Sequence, residues 1–118
     1  YGGIGGAYSG GGNKTYRIRS PRYVPDGNAL LEFDIYARKD AAVKVAVDGL
    51  NEENRTERFS MMLAVRGGGK WKRTILQPGD LKGESTGSPL KSFADGQALL
   101  FDCEDEENEY AVTNILWL

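Results

Sequence analysis

Apolar and polar residues alternate with a period of two along most of this chain. In the segment from Leu30 to Arg38, Leu31, Phe33, Ile35 and Ala37 fall on one face and Glu32, Asp34, Tyr36 and Arg38 on the other. Such alternation marks a half-buried β-strand. Val43, Val45 and Val47 alternate with Lys44, Ala46 and Asp48, and Asp48-Gly49 reads as a turn. Phe59, Met61, Leu63 and Val65 alternate with Ser60, Met62, Ala64 and Arg66, after a polar stretch over 50–58 that reads as a loop. Gly67-Gly68-Gly69 predicts a hairpin turn, and Trp71 to Leu76 a returning strand that Pro78-Gly79-Asp80-Leu81 ends.

Two further strands are predicted over Gln97–Glu104 and Tyr110–Leu118, joined by the charged turn Asp105-Glu106-Glu107-Asn108-Glu109. Residues 82–96 read as a long connection containing Leu90 and Phe93. Near the start, Tyr16-Arg17-Ile18-Arg19-Ser20 alternates before Pro21 and Pro25-Asp26-Gly27-Asn28 break the pattern. The glycine-rich residues 1–13 predict irregular structure, with a short strand around Ala7 to Ser9 or a linker, because glycine loses most entropy on ordering and adds no side chain to a core. No window of helical length carries an apolar stripe. The pattern therefore predicts an all-β fold: an antiparallel β-sandwich of the jelly-roll or immunoglobulin kind, with about seven or eight strands.

Length and composition narrow this picture without changing it. The 118 residues suit one domain over 1–118, with 40% hydrophobic and 27% charged residues, ordinary for a globular chain. Tyr1 is not an initiator methionine, so the domain is expected to be cut from a larger multidomain protein. Apolar bursts are too short to span a bilayer, and no membrane partner is expected. The net charge of −2 and pI of about 5.2 argue against duplex nucleic acid, which needs a concentrated positive face. There is no histidine, which removes Ser-His-Asp and Cys-His nucleophiles and every imidazole zinc site. The single cysteine, Cys103, is expected to be a small buried hydrophobe.

Several motif-like stretches have a simpler reading. The glycines lack the strand before and the helix after that a dinucleotide fingerprint requires, and Gly69-Lys70 is followed by Trp71 where a phosphate loop needs Ser or Thr. The carboxylates from Asp102 to Glu109 match no EF-hand spacing and read as a solvated turn; a structural calcium is not favoured, and no cofactor is expected. Asn13-Lys14-Thr15 and Asn54-Arg55-Thr56 match the glycosylation acceptor pattern. No pair of carboxylates stands out as catalytic, so the chain is not expected to be an enzyme.

Two places suit sugar binding. On the polar face of the best strand, Tyr36 lies between Asp34 and Arg38, and Arg66, Arg73 or Asp48 would join them if neighbouring strands pair in the usual way. An aromatic face stacks on the C–H face of a sugar, while carboxylate and guanidinium bond its hydroxyls. The segment from Lys14 to Tyr23 interleaves Lys14, Arg17, Arg19 and Arg22 with Tyr16 and Tyr23, which suits an acidic polysaccharide. The simpler readings are exposed sheet faces with cross-strand ion pairs and solvated arginines. Trp71 and Trp117 read as core or rim packing residues.

From Leu30 onward the element order resembles the galactose-binding-like jelly roll of bacterial carbohydrate-binding modules, such as families 11 and 30. The resemblance rests on Leu30-Leu31-Glu32-Phe33-Asp34-Ile35, then a Val-rich strand, then Lys70-Trp71-Lys72-Arg73-Thr74-Ile75-Leu76, and on the closing Tyr110-Ala111-Val112-Thr113-Asn114-Ile115-Leu116-Trp117. Thr113 stands where those families often have the Asp that helps to hold a calcium. The resemblance implies a non-catalytic, exported, monomeric module that binds a polysaccharide or oligosaccharide beside a catalytic domain, with stacking by a residue at the position of Tyr36. The alternative is a structural or adhesive sandwich that packs on a neighbouring domain without a sugar ligand.

Overall fold

The alternating segments build two antiparallel sheets packed face to face. The computed structural model describes residues 3–4, 12–17, 30–93, 98–105 and 107–117. The strands are β1 (Gly3–Ile4), β2 (Gly12–Arg17), β3 (Leu31–Ala37), β4 (Ala41–Leu50), β5 (Thr56–Val65), β6 (Lys72–Leu76), β7 (Lys82–Gly83), β8 (Ser92–Phe93), β9 (Ala98–Cys103) and β10 (Tyr110–Trp117). One sheet has the order β1-β10-β3-β6; the other runs β2-β9-β4-β5-β7, with β8 also paired to β4. Seven strands have five residues or more, which agrees with the count expected from periodicity; β1, β7 and β8 have two residues each and carry no period to read.

β3, β4, β5, β9 and β10 bury the apolar half of their alternation, whereas Ile75 of β6 is exposed. Leu31, Phe33, Ile35 and Ala37 of β3 face Val43, Val45 and Val47 of β4, Phe59 of β5, and Leu99, Phe101 and Cys103 of β9. Phe33 meets Phe101 edge-on across the core, with ring centroids 5.1 Å apart, a favoured aromatic arrangement. Tyr110 is fully buried, and its hydroxyl donates to the carbonyl of Phe101 at 3.3 Å. Cys103 is buried, as expected of a small hydrophobe.

Three differences from the sequence reading have local causes. The glycine-rich start contributes strands to both sheets: β1 pairs with β10, and β2, opening at Gly12, pairs with β9. The strand expected around Ala7 to Ser9 lies outside the described residues. The loop expected over 50–58 is shorter, 51–55, because buried Asn51 closes a turn tight enough for β5 to start at Thr56: its Oδ1 accepts the N–H groups of Glu53 and Arg55. The connection over 82–96 carries β7 and β8, and Pro78–Asp80 forms one 3-10 turn before it. Glu57 of β5 ties that connection down: it accepts hydrogen bonds from Asn51, from the Thr86 hydroxyl and from the N–H groups of Ser85 and Thr86. These donors favour the carboxylate and hold its pKa below the usual glutamate range, with Asn51 the leading cause.

Candidate functional site

The outer face of the four-stranded sheet carries the polar half of β3. Strand pairing sets Tyr36 opposite Ala111, Asp34 between Thr113 and Arg73, and Glu32 between Leu116 and Ile75. At the β6 end, Trp71 packs edge-on against Tyr36, with centroids 4.7 Å apart and planes 72° apart. Trp71 is 49% exposed, so it is no core residue. Its ring is open to solvent while Tyr36, half-buried, stands behind it. The Tyr36 hydroxyl donates to Glu109 Oε1 at 3.0 Å. Burial first, then this bond and the Glu109 charge, push the Tyr36 pKa above the usual phenol value.

Three turns hold this pair in place. The turn over 38–40 takes hydrogen bonds from the glycine turn: Gly68 N–H donates to the Arg38 carbonyl and Gly69 N–H to the Ala37 carbonyl, each at 3.0 Å. Gly67 N–H donates to Asp40 Oδ1 at 2.7 Å. Gly68 and Gly69 have φ of 106° and 69°, left-handed values that favour glycine. From the other side, buried Asn108 accepts from Lys39 N–H and donates to the Lys39 carbonyl, both at 3.0 Å. The glycine turn thus delivers Trp71 to Tyr36, and the β9–β10 turn delivers Glu109 to the Tyr36 hydroxyl.

One rung along the sheet, Asp34 and Arg73 come together as the sequence suggested, and they are engaged with each other and with a bulge. Arg73 Nη1 lies 3.5 Å from Asp34 Oδ1 and donates to the Asn114 carbonyl at 3.0 Å, and its Nε lies 3.8 Å from Glu32. Asn114 Nδ2 donates to Asp34 Oδ2 at 2.9 Å. Asn114 has φ of 52° at a register shift between Thr113 and Leu116, which keeps both Val112 and Ile115 buried.

The remaining proposed residues divide. Arg38 is exposed at the edge of this face, directly after β3. Arg66 and Asp48 do not join it, because β4 and β5 belong to the other sheet; Asp48 there pairs with Arg58 at 3.0 Å. Tyr16 lies in β2 at the register position opposite Leu99, far from the Tyr36 face in strand order. Arg19, Arg22 and Tyr23 lie outside the described residues. The outer face of the six-stranded sheet carries Lys44, Ser60, Met62 and Ala64 and, among its described side chains, no aromatic. No three metal-ligating side chains come together among the described residues.

The strand order and the two packed sheets have counterparts among solved structures. The chain has the fold of carbohydrate-binding modules. A structure described as "Family 16 Carbohydrate Binding Module-2" superposes with a TM-score of 0.53 at 12% identity, covering 95% of this chain and 74% of that one. The family 11 module from Clostridium thermocellum, in complex with a β-1,3-1,4-mixed-linked tetrasaccharide, gives 0.52 at 15% identity, covering 93% and 85%. The family 11 module of the cellulosomal cellulase Lic26A-Cel5E of Clostridium thermocellum gives 0.51 at 15% identity, covering 95% and 86%. No protein-family model matches the chain, and no curated protein matches it in sequence. The family 11 likeness read from the sequence is thus found in the fold, while the low identities carry nothing about residues.

Proposed function

We propose that this chain is a non-catalytic carbohydrate-binding module whose ligand face is the outer surface of the four-stranded sheet. The observation that carries this reading is Trp71, half-exposed and braced edge-on by Tyr36, whose own hydroxyl is engaged by Glu109. A braced aromatic face loses little freedom on binding and stacks on the apolar face of a sugar ring. The two rings are perpendicular and touching, so only one of them presents a flat face. The platform is therefore one sugar ring wide, which suits a soluble chain and not the flat surface of a crystalline polymer. In this reading Trp71 is the contact and Tyr36 its support.

Such a module serves a larger exported protein, holding its catalytic domain near a polysaccharide and raising the effective concentration of substrate. The fold shared with family 11 and family 16 modules supports the class of ligand, and half-exposed Trp71, braced by Tyr36, supports the face. Affinity gel electrophoresis with soluble neutral and acidic polysaccharides tests it. Retardation by at least one polymer supports the reading. Unchanged mobility across the whole set would overturn it in favour of a sandwich that packs against a neighbouring domain.

A further inference from the structure

The turn between β4 and β5 carries a motif that the candidate face does not use. Asn54-Arg55-Thr56 has the acceptor pattern for an N-linked glycan, and all three residues are exposed. The pattern gains meaning only on a surface turn, where the asparagine amide can be reached. Residues 51–55 form such a turn, between Leu50 at the end of β4 and Thr56 at the start of β5. Asn51 holds it closed. Its N–H donates to the Arg55 carbonyl and its carbonyl accepts the Asn54 N–H, each at 2.9 Å, while its Oδ1 accepts the N–H groups of Glu53 and Arg55. Asn54 has φ of 60°, a left-handed value that asparagine tolerates. Aspartate or glycine would meet that backbone as well; the Thr56 hydroxyl two residues on is what completes an acceptor. The amide is also presented with its reactive end open. Asn54 Oδ1 accepts Lys91 Nζ at 2.7 Å, and Nδ2 has no hydrogen-bond partner among the described residues. The second match to the pattern, Asn13-Lys14-Thr15, lies inside β2, where Asn13 pairs with Asp102 and Thr15 with Leu100. The ladder holds that segment extended, and no turn presents it.

We infer that Asn54 is the acceptor of an N-linked glycan. The inference takes from the reading above only that the chain is exported, and needs nothing of the Trp71 face. The transfer joins Asn54 Nδ2 to the anomeric carbon of an oligosaccharide carried on a lipid pyrophosphate. The C–N bond forms, the anomeric C–O bond breaks, the lipid pyrophosphate leaves with the electron pair, and the amide gives up one proton. Nδ2 keeps its other hydrogen and Oδ1 is untouched, so the bond from Lys91 survives. The glycan, bulky and solubilising, leaves the candidate face clear. The loop that carries Trp71 is hydrogen-bonded to the turn before β4, whereas Asn54 follows the far end of that ten-residue strand, about 30 Å away at the rise of an extended chain.

The test is secretion of the whole chain, behind a signal peptide, from a eukaryotic host, with the intact mass measured before and after peptide-N-glycosidase acts on the denatured protein. The enzyme should remove a glycan and leave aspartate at position 54, located by peptide mapping. Asn54→Asp and Thr56→Val should each abolish that glycan, and Thr56→Ser should keep it. The first two suit the local backbone, since aspartate tolerates left-handed φ and valine favours a strand, so loss of the glycan in a secreted variant reads the acceptor and not the fold. A mass that the enzyme leaves unchanged, or a glycan on Asn13 alone, would overturn the inference, whether or not polysaccharides retard the protein. A glycan on Asn54 of a protein that no polysaccharide retards would leave the inference standing and overturn the binding-module reading.

Discussion

Replacing Gly67 by alanine perturbs the turn that carries Trp71 to Tyr36. A Cβ built on Gly67 lies 2.6 Å from the Lys39 carbonyl carbon and 2.7 Å from both Asp40 N and Lys39 Cα. All three are backbone atoms, so no flexible side chain can move aside. Ordinary contact begins near 3.4 Å, so the two turns must separate by most of an ångström. Overpacking of this kind costs about 1–3 kcal/mol. Separation also strains the bond from Gly67 N–H to Asp40, worth about 1 kcal/mol at a solvent-exposed site. Together the loss should be about 2–4 kcal/mol in urea unfolding. Gly79→Ala is the control: its Cβ meets nothing within 4 Å and its φ is not left-handed, so it should be neutral or stabilising by about 0.4–1 kcal/mol. Because the displaced turn is the one that seats Trp71, Gly67→Ala should also weaken polysaccharide retardation. A Gly67→Ala protein within about 0.5 kcal/mol of wild type, with unchanged retardation, would refute the reasoning.

Three other outcomes are expected. Phe33→Ala, which empties the centre of the core beside Phe101, should destabilise the protein by about 3–5 kcal/mol in the same unfolding assay. Glu57 has a folded pKa below its unfolded value, so its contribution is present above the ordinary glutamate range and lost as pH falls through the lowered folded value; Glu57→Gln should flatten the acid limb of stability against pH, and an unchanged limb would count against the clasp around Ser85 and Thr86. Tyr36 has a raised pKa, so its contribution is present below the ordinary phenol value and lost as pH rises through the raised folded value; Glu109→Gln should move one phenol to lower pH in an ultraviolet titration.

The strands were legible because a single period governs them. Leu31 to Ala37, Val43 to Val47 and Phe59 to Val65 each bury the face that alternation predicts. Sheet membership was not legible, since a period says which face is buried and not which strand lies alongside; Arg66 therefore had no visible reason to leave the Tyr36 face. Trp71 read as a core or a rim packing residue, and it stands at the rim; a tryptophan before a strand looks the same in sequence in either place. Its exposure follows from the glycine turn before it, whose length and left-handed residues keep the ring on the outer face. The broken alternation of Val112, Thr113, Asn114 and Ile115 did hold a signal. Asn tolerates the left-handed region, and two polar residues between two apolar ones are what a bulge requires.

The central claim is that the outer face of the four-stranded sheet, through Trp71, binds glycan. The most direct measurement compares Trp71→Ala with Met62→Ala, since Met62 is 58% exposed on the opposite sheet face. Met62→Ala should unfold like the wild type within about 0.5 kcal/mol, and Trp71→Ala should lose about 0.5–1.5 kcal/mol or somewhat more with its edge-on contact to Tyr36 while staying folded. The account predicts that retardation by the best polysaccharide is lost in Trp71→Ala and intact in Met62→Ala. Loss in Met62→Ala with Trp71→Ala unaffected would place binding on the six-stranded sheet and contradict it.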